Sequence, residues 1–289
     1  MNSNPKVMRV TGIFKKAPSI LTGLFLPLLL VTALTACTTT ASLDKTQDLT
    51  WNQITDYAFQ ADFSVPETKS RCHAVKIDLT YPDLLIESHY SPKGLSLTQA
   101  AADHNLDIAI NTTQFYSQNS SGGKKAGLYP VGILKENISS PVQPESLKER
   151  YCALAIRKNG SNGYAMQIFP SQNESLFKTS GEFDIIHGGF FAILIDYNPI
   201  QYKEIKDART CIGLTKDGKT LYILVAEGGF PSVYKGLSYN ECARILLELG
   251  CCNAMEFDGG SSSSLVIRKK SVMSYPVRKI PVILGFKSR

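Results

Sequence analysis

Residues 250–264 read GCCNAMEFDGGSSSS. Residues 254–257 have the composition of a buried strand, and the carboxylate of Asp258 follows it directly. The next two glycines allow the backbone to turn sharply and to approach a ligand closely. Successive N–H groups in such a turn form a concavity that suits an anion, and the serines add hydroxyl donors. The alternative is a plain turn in which Asp258 caps its own loop, and these residues fit both interpretations equally well.

A capped helix precedes this strand in the sequence. Ser238 and Glu241 have the spacing of a capping box, and Gly250 is a C-terminal stop. Between them, apolar residues recur at helical spacing: Cys242, Ala243, Ile245, Leu246 and Leu249. The sequence therefore predicts an amphipathic helix that leads into the strand.

Most of the remaining chain has the pattern of short strands. They are predicted at residues 73–79, 84–87, 107–111, 152–157, 164–169, 185–186, 192–196, 210–215, 221–225, 265–267 and 282–284. Residues 216–219 form a hairpin turn, and a second capping box at residues 96–99 begins a short helix. Many strands with few helices predict an α+β fold, a single domain with a mixed, mostly antiparallel sheet and a few covering helices.

The N-terminal segment has the pattern of a lipoprotein signal peptide. Four basic residues and no acidic one lie in the first 19 residues, and an apolar stretch covers residues 20–34. The stretch ends in Leu34-Thr35-Ala36-Cys37, where small residues precede a cysteine whose thiol can receive a diacylglycerol. An uncleaved anchor helix is the alternative, but the stretch is short for a membrane span. We expect the mature chain to lie outside the cytoplasm, held on a bacterial membrane through Cys37.

The sequence divides into a signal peptide over residues 1–36, a tether and N-terminal extension over 37–66, and one domain over 67–289.

The chain carries a formal net charge of +6, and loss of the four basic residues of the signal peptide leaves +2. This small charge and the lack of a basic cluster with interleaved aromatic residues argue against a nucleic-acid partner. We expect a monomer by default.

Six further cysteines follow Cys37, and an even number outside the cytoplasm permits disulfides. Several of them have apolar neighbours, as buried thiols do, so we expect mostly free cysteines at Cys72, Cys152, Cys211, Cys242, Cys251 and Cys252. The sequence has no CxxC pair, and its four histidines are scattered. This spacing does not suit zinc, and we predict no metal site and no cofactor. Asp258 and Glu227 are nevertheless of the residue type that binds Ca²⁺ or Mg²⁺.

The stretch at residues 250–264 closely resembles the phosphodiester glycosidase family, in which a helix precedes Asn-Ala-hydrophobic-x-Asp-Gly-Gly-Gly-Ser-Ser-Thr. The matching residues are Asn253, Ala254, Asp258, Gly259, Gly260, Ser262 and Ser263. Residues 209–213 (RTCIG) resemble the family's Arg-Thr-x-hydrophobic-Gly strand, and residues 187–190 (HGGF) its Gly-Gly-Pro element. Residues 111–115 (NTTQF) keep only the first and last residues of its Asn-Gly-Gly-aromatic-Phe strand. The resemblance covers roughly residues 70–289, in the family's order.

The resemblance implies a hydrolase that cleaves a glycosyl phosphodiester between the anomeric carbon and the phosphate oxygen. Asp258 and Glu227 are then the candidate carboxylates for acid–base or nucleophilic work. We expect Asp258 to be the essential one, because the phosphodiester leaves as an already stabilised anion and needs little protonation. His187 is a candidate proton donor, although a lone histidine is more often structural.

The same resemblance assigns the binding residues. Arg209, followed by Thr210, would bind the phosphate through its guanidinium fork, whereas without the family an ion pair with Asp207 or Glu204 is the better interpretation. Asn111 would bind a sugar hydroxyl or a phosphate oxygen, unless it is a turn cap. The remaining predicted contacts are in the glycine–serine loop: Gly259, Gly260, Ser262 and Ser263. A serine nucleophile is disfavoured because no Gly-x-Ser-x-Gly elbow accompanies them.

Departures from the family pattern leave two other functions open. Ser261 replaces the third glycine, Thr112 and Thr113 replace two others, and Gly229 stands where the family has arginine. These changes suit a glycan-binding lipoprotein without catalytic activity. A structural or adhesion lipoprotein would instead use the aromatic-rich residues 51–63 and the polar loop 117–127 as partner surfaces. For an active enzyme, we expect substrates among the sugar phosphodiesters of envelope glycans.

Overall fold

The computed structural model describes residues 49–120, 125–139, 149–160, 163–229 and 232–289. The predicted signal peptide, Cys37 and the tether up to residue 48 lie outside these ranges. The described chain contains three short α-helices, α1 (Leu97–Asp103), α2 (Glu174–Thr179) and α3 (Tyr239–Glu248). None of these helices is long and apolar enough to cross a membrane.

Nineteen strands make up most of the described regular structure. In chain order they are β1 (Asn52–Thr55), β2 (Ala58–Val65), β3 (Ser70–Asp78), β4 (Leu84–Leu95), β5 (Ile108–Asn111), β6 (Phe115–Gln118), β7 (Gly127–Pro130), β8 (Leu134–Lys135), β9 (Ala153–Lys158), β10 (Tyr164–Phe169), β11 (Ile185–Gly188), β12 (Ala192–Ile195), β13 (Asn198–Pro199), β14 (Arg209–Thr215), β15 (Thr220–Ala226), β16 (Cys251–Glu256), β17 (Leu265–Ile267), β18 (Lys270–Ser271) and β19 (Ile280–Ser288).

The strands form three sheets and a separate hairpin. The eight-stranded sheet has the order β1-β2-β3-β15-β14-β16-β12-β13, the five-stranded sheet β18-β17-β5-β19-β4, and the four-stranded sheet β10-β9-β11-β8. β6 pairs with β7 alone, and the strand pairs within the described residues are antiparallel. This architecture confirms the predicted α+β fold.

The main core lies where the three sheets meet. Alternation along the strands turns Val75 and Ile223 of the eight-stranded sheet inward, towards Ile110 of the five-stranded sheet and Leu154 of the four-stranded sheet. These side chains are completely buried, and burial of each contributes roughly 1.5–3 kcal/mol. The core therefore fixes how the sheets sit together and where their strand ends meet.

Helix α3 covers the other face of the eight-stranded sheet. Its buried residues Cys242, Ile245 and Leu246 pack in one cluster with Cys211 and Leu224 of the sheet. The predicted capping box is confirmed: Glu241 N donates to Ser238 Oγ over 3.3 Å, and Ser238 N donates to Glu241 Oε2 over 2.8 Å. The capped first turn of α3 is thereby fixed against the sheet.

The predicted hairpin between β14 and β15 is also confirmed. Gly218 has φ +68°, and Asp217 Oδ1 accepts from Thr215 Oγ1 and Lys219 N. Residues 117–127, expected to be a surface loop, begin and end in strands, since β6 and β7 pair at Gln118 and Gly127. The described residues between these strands, 119–120 and 125–126, belong to neither strand, as expected of a loop. The strand ends were not predicted, because the polar sequence of this segment shows no apolar alternation.

Residues 52–65 of the N-terminal extension form the edge of the large sheet. β2 pairs with β3 over its whole length, and β1 pairs with β2. Trp51 contacts Tyr222 at a ring-centroid distance of 6.1 Å, and Lys76 lies over the rings of Trp51 and Phe59. The early aromatic residues therefore pack on the sheet's own strands.

All six described cysteines are free and buried, as expected for most of them. Burial raises the pKa of the Cys72, Cys152, Cys211 and Cys251 thiols. Such thiols stay protonated at neutral pH and act as small apolar side chains.

Candidate active site

The backbone around Asp258 is held by hydrogen bonds to two other strand ends. Phe257 N donates to Thr210 O, and Asp258 N donates to Thr112 O over 2.8 Å. Gly260 N donates to Ala208 O, also over 2.8 Å. The turn after β16 is therefore tied to the beginning of β14 and to the residue that follows β5.

The structure explains why both positions after Asp258 are occupied by glycine. A Cβ on Gly259 would lie 2.8 Å from Glu256 Oε1 and 3.1 Å from Ala208 O, which leaves no space for a side chain. Gly260 has φ +58°, a conformation that L-residues with a side chain rarely adopt. The glycine pair lets the chain turn tightly beside two acidic side chains.

A pocket of about 600 Å³ opens over this turn. That volume is within the range of small-molecule sites and accommodates a sugar with a phosphate. Its walls combine acidic, cationic and aromatic side chains: Asp207, Glu256 and Asp258; Arg209 and Arg278; Phe115, Phe190 and Tyr239. Gly259, Gly260, Ser261 and Ser262 form the rest of the polar wall, beside Ile205.

Asp258 is the carboxylate of the glycine–serine turn in this pocket. Burial raises its pKa to about 6, although the Ser262 hydroxyl, the Arg278 charge and the backbone N–H of Gly259 oppose the rise. A carboxyl group with a pKa near 6 is ionised at neutral pH and remains a better base than an ordinary aspartate. Asp258 therefore lines the pocket as a carboxylate, and its role as the essential catalytic group stays a prediction.

Arg209 is buried in the pocket wall and forms an ion pair with Glu256. Its Nη1 donates to Glu256 Oε1 over 2.9 Å, and both side chains are almost inaccessible to solvent. Its Nε and Nη2 donate to the carbonyls of Leu237 and Ile205, and the guanidinium lies 4.1 Å from the ring centroid of Tyr239. Three of the five N–H donors are thus engaged, and the orientation of the guanidinium is fixed.

The partner of Arg209 differs from both residues considered in the sequence. Asp207 and Glu204 lie nearby in sequence, whereas Glu256 lies on the adjacent strand β16. Burial raises the pKa of Glu256 to about 7 even though Arg209 favours its charged form. Removing either partner would leave the other buried and uncompensated.

Arg278 is the exposed cation of the pocket. Its guanidinium lies 4.4 Å from the ring centroid of Phe115, and its Nη1 donates to Ser261 Oγ over 3.4 Å. Because a single long hydrogen bond holds it, this side chain can reorient towards an anion at low cost. Arg278 was not predicted from the sequence, because it lies in an irregular segment without a family motif.

Asn111 connects the strand ends beneath the pocket. Its Nδ2 donates to Asp258 O over 2.7 Å, and its Oδ1 accepts from Thr210 Oγ1 and from Ser264 N. Neither Asn111 nor Thr210 lines the pocket, and both are buried. Their amide and hydroxyl groups position the Asp258 turn instead of facing a ligand.

The two predicted serine contacts are placed differently. Ser262 lines the pocket beside Asp258, whereas Ser263 is fully buried and does not line it. Gly259 and Gly260 contribute backbone to the pocket wall. Of the predicted contacts in this turn, the Ser262 hydroxyl and the backbone of Gly259 and Gly260 are therefore accessible to a ligand.

Glu227 lies outside the pocket, in a separate buried network. Its Oε1 faces His73 Nε2 at 3.2 Å, and its Oε2 accepts from the backbone N and the hydroxyl of Ser274. His73 Nδ1 in turn faces Asp62 Oδ1 at 2.7 Å. Burial acts to raise the pKa of Glu227, but the hydrogen bonds with His73 and Ser274 outweigh it and lower the pKa. The structure does not bring Glu227 together with Asp258 in one pocket.

His187 also lies away from the pocket. It is fully buried on β11, and its Nε2 lies 2.6 Å from Ser88 Oγ. Burial lowers the pKa of His187 to about 3, so the ring is neutral at physiological pH. His187 is therefore placed as a structural histidine and not as a proton donor of the pocket.

The positions that depart from the family pattern fall into two groups. Thr112 and Thr113 are buried and do not line the pocket, so they alter its supporting layer. Ser261 lines the pocket and bonds Arg278. Gly229 has φ +66°, and a Cβ there would lie 2.6 Å from Asp207 Oδ1. Any side chain at this position would therefore collide with a carboxylate that lines the pocket.

Glu256 is the main residue that sequence reasoning missed. A signal was present, since Glu256 lies between the apolar residues Met255 and Phe257, and a glutamate that is buried in such a position needs a partner. Asp207, Phe190 and Tyr239 also line the pocket and carried no motif. They come from separate loops and from the first turn of α3, and only the tertiary fold brings them together.

The chain is similar to known proteins in sequence and in fold. Residues 104–287 match the sequence profile of the phosphodiester glycosidase family. No curated protein matches the chain. The catalytic domain of zebrafish N-acetylglucosamine-1-phosphodiester alpha-N-acetylglucosaminidase, auto-inhibited by its pro-peptide, has a similar structure, with a TM-score of 0.60 and 15% identity over 83% of this chain and 84% of that chain.

Two bacterial proteins share the fold as well. A hypothetical protein from Synechocystis has a TM-score of 0.54 and 13% identity over 83% of this chain and 64% of its own. A protein from Burkholderia pseudomallei has a TM-score of 0.58 and 11% identity over 75% of this chain and 74% of its own. At these identities the likeness shows the fold alone.

Proposed function

The chain belongs to the phosphodiester glycosidase family, and from this premise we propose that it hydrolyses glycosyl phosphodiesters, cleaving the bond between the anomeric carbon and the phosphate oxygen. The observation that carries the proposal is Asp258: a carboxyl group with a raised pKa, in a pocket that also contains two guanidinium groups. A negatively charged leaving group and a carboxylate acting on carbon need this combination of charges.

The phosphate would lie between Arg209 and Arg278. Arg209 keeps a fixed orientation through Glu256 and two backbone carbonyls, while Arg278 is exposed and can close on the anion. Guanidinium groups bind phosphate oxygens in pairs and stay charged at every physiological pH. As the bond breaks, both would stabilise the charge that develops on the departing phosphate.

Asp258 would act at the anomeric carbon of the sugar. As a carboxylate it can attack that carbon directly or remove a proton from the attacking water. The phosphate leaves as a stabilised anion and needs little protonation, so one carboxylate is sufficient. Phe115, Phe190 and Tyr239 provide the apolar surface against which a sugar ring can lie.

The test is hydrolysis of a panel of sugar-1-phosphodiesters by the purified full-length chain and by Asp258→Asn. We expect activity in the parent and a loss of about 10²–10⁴-fold in the variant, because its amide cannot act as base or nucleophile. Asp196→Asn, at an exposed turn outside the pocket, is the matched control and should retain full activity. An Asp258→Asn variant that keeps parental activity would contradict the proposed role of Asp258.

A glycan-binding protein without turnover is the second candidate function. It is favoured by the buried Glu256, which neutralises Arg209, and by the departures at Thr112, Thr113, Ser261 and Gly229. In the same assay it predicts that sugar phosphodiesters bind and persist uncleaved. If the chain is instead a structural envelope protein, sugar phosphodiesters should be neither bound nor cleaved.

We further propose that the protein acts at the cell envelope, on the extracytoplasmic side of a bacterial membrane. The support is the sequence of residues 1–37, with a basic segment, an apolar segment and small residues before Cys37. A lipid anchor would hold the enzyme beside envelope glycans that carry phosphodiester-linked sugars.

A further inference from the structure

Three side chains of metal-binding type meet outside the candidate active site. Glu87 and His89 are two residues apart on β4 and project from the same face, and His104 follows the last residue of α1. One potential ligand atom from each residue lies within 4.8 Å of those of the other two. None of the three lines the Asp258 pocket.

We propose that Glu87, His89 and His104 form a binding site for a divalent transition-metal ion, with Zn²⁺ as the favoured ion. Two imidazoles and one carboxylate are a donor set that zinc uses widely when three protein ligands leave one position for water. The site depends on neither the proposed hydrolase activity nor the pocket.

The spacing of the side chains supports the site. Ligands about 2.0–2.1 Å from zinc at a tetrahedral angle lie about 3.3–3.4 Å apart. Glu87 Oε2 and His89 Nε2 are 3.2 Å apart, close to that spacing. The His89 and His104 rings stack at a centroid distance of 3.7 Å with 22° between their planes. Because an imidazole binds a metal in its ring plane, at least one of the two stacked rings must rotate before all three donors, whose ligand atoms lie within 4.8 Å of one another, can face one ion.

Lys287 contacts two of the three proposed ligand residues, Glu87 and His104. Its Nζ lies 2.6 Å from Glu87 Oε1 and donates to His104 O over 3.1 Å. This leaves Glu87 Oε2, the oxygen that faces His89, available to an ion. Metal-bound carboxylates usually have such an outer partner, which orients them. The competing explanation is an ion pair beside a stacked histidine pair that binds no metal.

A bound ion would link β4 to the end of α1. The chain reaches His104 through α1, and the helix packs on the five-stranded sheet through Ala100 and Ala101. An ion that binds the folded chain and not the unfolded chain stabilises the fold by RT ln(1 + c/Kd), where c is the concentration of free ion, so the stabilisation grows with that concentration. The site thus predicts a rise in melting temperature with Zn²⁺, a readout that is independent of catalysis.

The experiment titrates Zn²⁺ into purified, chelator-treated full-length chain by calorimetry and records Co²⁺ absorption spectra in parallel. We expect one ion per chain and d–d bands of nitrogen and oxygen ligation without thiolate charge-transfer bands, because the six described cysteines are buried. His89→Ala, His104→Ala and Glu87→Gln should each weaken Zn²⁺ binding at least ~10-fold and reduce the thermal shift. Asp103→Asn, beside His104 on the exposed side of α1, is the control and should bind like the parent.

Two results would overturn the site. One is the absence of saturable Zn²⁺ binding at micromolar concentrations by a folded parent chain. The other is binding that all three variants retain, which would locate the ion elsewhere. Asp258→Asn separates this proposal from the hydrolase: it should lose hydrolysis and keep Zn²⁺ binding unchanged.

Discussion

At the residue scale, the candidate site depends on how its carboxylates are partnered. Asp258 and Glu256 line the same pocket, and burial raises the pKa of each, to about 6 and about 7. Glu256 is paired with Arg209, whereas Asp258 faces only a serine hydroxyl, a backbone N–H and the exposed Arg278. Asp258, which is not held in a buried ion pair, is therefore the carboxylate better suited to act on a substrate.

The raised pKa of Asp258 predicts the pH dependence of hydrolysis. If Asp258 acts as a carboxylate, kcat/KM should rise with pH through about 6, not through about 4 as for an ordinary aspartate. The measurement is a pH–rate profile between pH 4 and 8. A flat profile across this range would contradict a role for ionised Asp258.

Arg278 should affect both substrate binding and this profile. Arg278→Met removes a charged hydrogen-bond donor to phosphate, so kcat/KM should fall about 10- to 100-fold. It also removes a positive charge that lowers the pKa of Asp258, so the midpoint of the profile should move to higher pH. Lys279→Met removes an adjacent exposed charge outside the pocket and should change neither. A profile that does not move in Arg278→Met would refute this coupling.

The sequence identified Asp258 and Arg209 but not what surrounds them. The Asp-Gly-Gly turn is local, and its glycines are explained by a left-handed φ at Gly260 and by the lack of space at Gly259. The partner of Arg209 depends on the register between β14 and β16, two strands 47 residues apart at this contact. No local pattern encodes that register, so nearby acidic residues were the natural candidates.

At the element scale, α3 is the clearest case in which sequence and structure agree. Its capping box, apolar stripe and terminal glycine are local signals, and the structure confirms them. The β6–β7 hairpin shows the opposite case, because its polar residues carry no alternation and its pairing arises only in the folded chain. Elements with a clear apolar periodicity were predictable, and this hairpin, which pairs with no further strand, was not.

Packing of α3 against the sheet predicts a measurable stability. Leu246→Ala should lower the free energy of unfolding by about 2–5 kcal/mol, because it leaves a cavity between α3 and the large sheet. The measurement is urea unfolding of the parent and variant. Leu247→Ala, at a half-buried position on the same helix, is the control and should cost clearly less. Equal losses in the two variants would argue against this packing.

At the scale of the whole molecule, the sheets and their junction position the pocket. The predicted α+β class is confirmed, but the division into sheets of eight, five and four strands follows from long-range pairings that strand patterns do not specify. Residues 52–65 show this, since β1 and β2 extend the large sheet from a region assigned to an N-terminal extension. Glu227 shows it too, because the family resemblance made it a candidate catalytic carboxylate and the fold places it beside His73, outside the pocket.

Anchoring is also a property of the whole molecule, and it can be tested directly. Cys37→Ser should abolish palmitate labelling in expressing bacteria, because the serine hydroxyl does not replace the thiol that receives the lipid. Cys72→Ser is not a suitable control because Cys72 is buried in the fold, whereas Ser42→Ala is conservative and should leave labelling unchanged. Membrane retention with full labelling in Cys37→Ser would contradict the proposed anchor.

The most direct test of the central proposal is the fate of the water oxygen during hydrolysis. Turnover of a sugar-1-phosphodiester in ¹⁸O-labelled water is followed by ³¹P NMR, which detects ¹⁸O bonded to phosphorus as an isotope shift. Cleavage between the anomeric carbon and the phosphate oxygen predicts a phosphate product without ¹⁸O, since the water oxygen enters the sugar. A phosphate product that carries ¹⁸O would show attack at phosphorus and would contradict a glycosidase built around Asp258.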